Sequence, residues 1–97
     1  MAAYILVTYD IVDPKAFEPY VPGVIPLLQK HGAEVLVADI DAKTLEGTAR
    51  GVNVVLKFPS EEAALAFYND PAYAPVRKIR RDSCKDNYVV LAKEAEA

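Results

Sequence analysis

Two periods of hydrophobic spacing alternate along the chain. Residues 3–11 put Ile5, Val7, Tyr9 and Ile11 on one side and Tyr4, Leu6 and Thr8 on the other, a period of two rich in β-branched and aromatic residues. This predicts a strand that is apolar on both faces. Asp13-Pro14 then reads as a helix N-cap with proline at the first helical position, where its missing N–H loses no bond. The helix it opens is expected to run to His31 and to close on Gly32, the residue type that takes the left-handed terminal conformation. Pro19, Pro22 and Pro26 interrupt that span, and an interior proline costs about 3 kcal/mol. The prolines predict a first turn or two through Glu18, an irregular stretch near Pro22, and a second segment carrying Ile25, Leu28 and Gln29 up to Lys30.

Ala33 to Ile40 form a second expected strand, with Val35 and Val37 facing away from Leu36 and Ala38. The polar stretch Asp41 to Gly51 is a connection. Val52 to Phe58 form a third strand, with Val54, Leu56 and Phe58 on one face, and Pro59 ends it because it cannot donate to a ladder. Ser60 caps a helix whose first turn carries Glu61 and Glu62 at the positive end of its dipole and whose apolar face is Ala63, Ala64, Phe67 and Tyr68. Asn69, Asp70 and Pro71 stop that helix and start a short one to about Asp82. Asn87 to Lys93 form the last strand, and a frayed tail over 93–97 is expected.

The resulting order is β-α-β-β-α-β, an α+β ferredoxin-like sandwich with a four-stranded antiparallel sheet and helices on one face. Strands one and four are apolar on both sides, so the open sheet face needs a cover. A second copy of the same sheet, related by a two-fold axis, is the simplest one.

The 97 residues carry no interior stretch that divides them, which makes one domain over 1–97 the expectation. A hydrophobic content of 53% is high for a chain of this size; small domains bury only about 60–70% of their surface alone, which again asks for a partner. A formal charge of −3 argues against nucleic acid or an anionic membrane as partner. The single cysteine, Cys84, fits a reducing, cytoplasmic setting. Asp10 cuts the apolar run from Ala2 to Tyr9 short of a signal peptide or a membrane span.

The combination of Asp13-Pro14, His31-Gly32, Leu45-Glu46-Gly47, Phe58-Pro59-Ser60, Phe67-Tyr68, Pro71-Ala72-Tyr73 and Arg77 resembles the bacterial family known as domain of unknown function 1330. The likeness runs from about Ala3 to Leu91. It implies a ferredoxin-like fold of the dimeric α+β barrel superfamily, in which two sheets pack face to face and each subunit keeps a cleft between sheet and helices. It implies no activity, because that superfamily holds cofactor-free monooxygenases, lactone isomerases, haem-degrading enzymes and proteins of no assigned role. Pro19 and Pro22 depart from the family's pattern and bear on the shape of the cleft wall.

The candidate chemistry is thinly spread. His31, the only histidine, can serve as acid or base near neutral pH, or simply suit a helix C-terminus. Glu46 is a loop acid, open to function or to pairing with Arg50. Arg77 and Arg80 or Arg81 lie three and four residues apart, so one helix face can offer two guanidinium groups to a carboxylate or phosphate, and Arg77 is favoured because it follows Tyr73 by one turn. Tyr68 and Tyr73 can point phenols into a cleft or pack as core. Cys84, beside Lys85, has no second catalytic group tied to it. The residue spacings offer no zinc or calcium set, phosphate loop or serine elbow, so no metal and no cofactor is expected.

These residues point to a homodimeric small-molecule-binding protein with a cleft lined by Tyr68, Tyr73, Arg77 and Arg80 and approached by His31 and Glu46. Its enzymatic form is cofactor-independent chemistry on a small anionic or carbonyl-bearing metabolite. The alternative is a non-enzymatic interaction or regulatory module of the same fold.

Overall fold

The computed structural model of the protein describes residues 1–95. Its elements run β1 (Ala3–Ile11), α1 (Pro14–Phe17), α2 (Tyr20–Lys30), β2 (Glu34–Asp39), β3 (Val52–Phe58), α3 (Glu61–Tyr68), α4 (Tyr73–Ser83) and β4 (Cys84–Lys93). The strands form one antiparallel sheet in the order β2-β3-β1-β4. This is the α+β ferredoxin-like fold that the strand and helix periods predict.

The expected break in the first helix falls at Pro19, not near Pro22. Asp13 caps α1 by accepting from the Ala16 N–H at 3.1 Å, and α1 ends at Phe17. Pro19 then takes the N-cap position of α2, which leaves Pro22 in its first turn, where the N–H groups have no intrahelical acceptor in any case. Only Pro26 lies in the helix interior. At the far end Gly32 adopts φ 71°, the Ala33 N–H donates to the Leu28 carbonyl at 2.9 Å, and the Gly32 N–H donates to the Gln29 carbonyl at 3.2 Å. That pair of bonds requires a left-handed residue after the helix, and Gly32 supplies it without a Cβ penalty.

Two bulges change the expected faces. In β2, Val35 opposes Leu56 and Val37 opposes Val55, so the register slips by one across Leu36. Val35 and Ala38 therefore turn toward the helices while Val37 turns to the open face, which corrects the expectation that Val35 and Val37 share a side. β4 starts at Cys84, three residues before the expected Asn87, because a second irregularity is inserted where Thr8 pairs Tyr88 and Asp10 pairs Lys85. Asp86 sits there at φ 53°, and the extra residue turns Cys84, opposite Ile11, into the core.

The core lies between the sheet and the helices. Ala3, Ile5, Val7 and Tyr9 of β1 alternate inward and meet Val52, Leu56 and Phe58 of β3, Val24, Leu27 and Leu28 of α2, and Ala64 and Phe67 of α3. Ser60 caps α3 by accepting from the Ala63 N–H at 3.1 Å. α2 and α4 approach at Gly23, where a Cβ would lie 3.2 Å from a methyl of Val76. The opposite sheet face carries Tyr4, Leu6 and Thr8 of β1, Val55 of β3, and Tyr88 and Val90 of β4, with Leu6 38%, Tyr88 54% and Val90 51% exposed. No helix of the described residues is long and apolar enough to cross a membrane. Of the tail expected to fray, Glu94 accepts from the Ala2 N–H at 3.4 Å, and residues 96–97 lie outside the described residues.

Candidate functional site

The inward stripe of α4 is Tyr73, Val76, Arg80 and Ser83, at spacings of three, four and three. An arginine in such a stripe goes into the core, and Arg80 is only 1% exposed. Its head group donates from Nη1 to the Asn87 Oδ1 at 2.6 Å. Its Nε is enclosed and has no hydrogen-bond partner. The ion pairs of the described residues are Lys30 and His31 with Asp70 and Lys78 with Asp82, so none of them neutralises Arg80.

Phenols, not acids, surround the head group. The Arg80 guanidinium carbon lies 5.9 Å from the ring centres of both Tyr9 and Tyr20. The Tyr20 and Tyr73 hydroxyls bond to each other at 2.8 Å. Burial works against the Arg80 charge, and Tyr20 and Tyr73 beside it outweigh that, so the guanidinium holds its proton more tightly than usual. Burial, with the Cys84 thiol beside it, raises the Tyr9 phenol to about 12. Burial and the Tyr73 hydroxyl raise Tyr20 further still. Both phenols are therefore neutral donors at physiological pH, unsuited to act as bases.

Arg80 faces a hollow of about 560 Å³ between α4 and the bulged start of β4, lined also by Tyr68, Arg81, Lys85, Asp86 and Asn87. Three cations line it against one carboxylate. The guanidinium fork beside it is suited to a planar anion such as a carboxylate.

The six residues singled out from the sequence separate into three places. Tyr68, Tyr73, Arg77 and Arg80 are neighbours: Tyr68 and Tyr73 have ring centres 5.9 Å apart, and the Arg77 guanidinium lies 5.0 Å over Tyr68 and 5.7 Å over Tyr73. Arg77 also donates to the Tyr68 carbonyl at 3.1 Å, so it fastens α4 to the end of α3 while Arg80 occupies the interior. His31 lies elsewhere. Its Nε2 is 2.8 Å from the Asp70 Oδ2, its ring meets Phe67 edge-on at 6.1 Å, and Lys30 donates to the same Asp70 oxygen at 2.9 Å. Asp70 also accepts from the Ala72 N–H, and the His31 bond first, then that of Lys30, holds its carboxyl well below the usual carboxylate range. This cluster ties the end of α2 to the α3–α4 turn. Glu46 is exposed on the connection before β3, and Arg50 turns instead to the Thr48 carbonyl and the Tyr88 ring.

Tyr9, Tyr20 and Asn87 belong to the Arg80 cluster and have no counterpart among the residues expected from the sequence. The stripe Tyr73-Val76-Arg80-Ser83 was the available signal for Arg80, because its spacing places Arg77 one step to the side. Among the described residues no group of three His, Cys, Asp or Glu side chains could hold a metal ion.

The family described as Domain of unknown function (DUF1330) matches residues 2–93. The chain belongs to it. This DUF1330 chain is also similar to solved structures. One is the RPA0582 protein of unknown function from Rhodopseudomonas palustris, with 17% identity, 99% of this chain and 84% of that one covered, and a TM-score of 0.81. A dimeric ferredoxin-like protein of unknown function from Jannaschia sp. CCS1 has 13% identity, 97% and 100% coverage, and a TM-score of 0.68. Another, from Thermobifida fusca YX, has 19% identity, 94% and 89% coverage, and a TM-score of 0.58. At these identities the likeness is one of fold. No curated protein matches the chain.

Proposed function

We propose that this DUF1330 chain is a homodimeric small-molecule-binding protein that takes a small anionic metabolite, one bearing a carboxylate, against Arg80. The observation that carries the reading is the buried guanidinium: Arg80 is 1% exposed, has no carboxylate partner among the described residues, and leaves its Nε unbonded. Burying an unpaired cation is costly, and proteins that do so supply an anion. The ligand is that anion. Arg81 and Lys85 at the mouth draw it in, and Arg80 receives it.

The homodimer is supported by the apolar open sheet face and by the description of similar structures as dimeric. A cytoplasmic setting suits the free thiol of Cys84.

The test is thermal unfolding with acetate, pyruvate and oxalate at constant ionic strength. A carboxylate that binds only the folded chain raises the midpoint by an amount that grows with the logarithm of its concentration above its dissociation constant. The rise is expected for the natural chain and absent in Arg80→Met, whose apolar side chain fills the same space without charge. No rise with any carboxylate, or an equal rise in Arg80→Met, would refute the reading and favour the interaction-module alternative.

A further inference from the structure

The charges of the chain are unevenly placed. Residues 77–86 carry five of its 11 lysines and arginines but only two of its 14 aspartates and glutamates. An acidic chain therefore holds one cationic corner, at the end of α4 and the start of β4. Within that corner Lys78 is paired with Asp82, and Arg77 donates to the Tyr68 carbonyl. Arg80, Arg81 and Lys85 have no ion pair among the described residues, and all three line the hollow of about 560 Å³. Asp86 is the one carboxylate on its wall, so the hollow is left with two uncompensated positive charges.

The three cations stand at two depths. Arg80 is 1% exposed and its Nη1 is fastened to Asn87, whereas Arg81 and Lys85 are exposed. Arg81 follows Arg80 on α4, about 100° further around the helix, and so stays at the rim while Arg80 turns inward. Lys85 reaches the hollow from the opposite wall, the bulged start of β4, where Asp86 sits at φ 53°. A single carboxylate on Arg80 neutralises the buried charge and leaves the rim unmatched. A phosphate carries its two charges on one compact group and suits cations gathered at one point, but here they are split between floor and rim. Two carboxylates on a short chain match that split.

We propose that the ligand of this hollow is a small dicarboxylate, with one carboxylate on the Arg80 guanidinium and the other between Arg81 and Lys85 at the rim. The rim cations then select a dianion over a monoanion instead of only drawing anions in. This inference rests on the reading of Arg80 as an anion site and adds the second charge to it.

The test is calorimetric titration at constant ionic strength and about pH 7.5, where succinate is a dianion. The probes are succinate, its monoamide succinamate, which has the same length and one charge fewer, and inorganic phosphate. Succinate should bind about tenfold tighter than succinamate, because its second carboxylate meets two partly solvated cations, and phosphate should bind more weakly than succinate. The double variant Arg81→Gln/Lys85→Gln, at two exposed positions, should cost succinate about twentyfold and succinamate about twofold, which closes the gap between them. Lys78→Gln, on α4 but outside the hollow, should leave the gap open. Equal affinity for succinate and succinamate would overturn the proposal while leaving the Arg80 reading in place. So would a gap that survives the double variant, a gap that Lys78→Gln also closes, or phosphate binding tighter than succinate. No binding of any probe, or binding that persists in Arg80→Met, would overturn the Arg80 reading and this inference with it.

Discussion

Val90→Lys is the substitution that most directly strains the proposed pairing of two sheets. Val90 lies opposite Leu6 on the open face and is 51% exposed in the single chain. Covering that half of a valine removes about 80 Å² of apolar surface from water, or about 2 kcal/mol at about 25 cal/mol per Å². A two-fold interface counts the residue twice, so the dimer loses about 4 kcal/mol, close to a thousandfold in its dissociation constant. The chain itself should stay folded, because the lysine replaces a side chain that contributes little to the core. Sedimentation velocity over a dilution series, run beside Leu65→Lys, measures the effect. Leu65 is 46% exposed on α3, on the helix side of the sheet, and should leave the dimer unchanged. A Val90→Lys dimer within a few-fold of the natural affinity, or an equal loss in Leu65→Lys, would refute pairing through this face.

Asp70 should shape the acid limb of stability. Its folded carboxyl is held below its unfolded value, so it contributes stability above about pH 4 that fades as pH falls toward its folded pKa. Asp70→Asn should be less stable than the natural chain at pH 6, and the gap should close below about pH 4; a gap that stays constant to pH 2 would contradict the assignment. Gly32→Ala should cost about 1–2 kcal/mol by urea unfolding, all of it from the backbone, since the new Cβ would meet Pro59 at an ordinary 3.6 Å. A cost near zero would mean that the helix end re-forms without the left-handed residue. Cys84 is buried at the floor of the Arg80 hollow, and burial pushes its thiol up, so a thiol reagent should label it far more slowly in the folded chain than in urea. Fast labelling of the folded chain would contradict its place in the core.

Most of the fold was legible because local signals agreed with the tertiary result. The alternation in β1, the Asp13-Pro14 and Ser60 caps, Gly32 and Pro59 each fix an element end or face by backbone chemistry that needs no partner. What was not legible depends on contacts between elements. Three prolines spaced along one helical stretch do not say which one falls at a helix start, and the structure puts Pro19 there. The bulges at Leu36 and Asp86 leave no period signature, yet they decide which side chains of β2 and β4 turn inward. The site was half legible for the same reason. Tyr73 and the arginine pair were visible as a cluster, but the phase of α4 against the sheet selects Arg80 for the interior and leaves Arg77 stacked on tyrosines at the edge. Tyr9 read only as one face of a strand and Tyr20 carried no signal, and only the structure brings their rings to Arg80.

The central claim is that the buried Arg80 guanidinium is held for an anion. Its most direct test is the Arg80 Nε–H resonance, followed by NMR while acetate is added at constant ionic strength. The account predicts a resonance that shifts saturably as acetate binds, because a carboxylate docked on the guanidinium from the hollow alters the field at its enclosed Nε. A resonance that stays fixed up to high acetate, or one that moves only linearly as every surface arginine does, would contradict it.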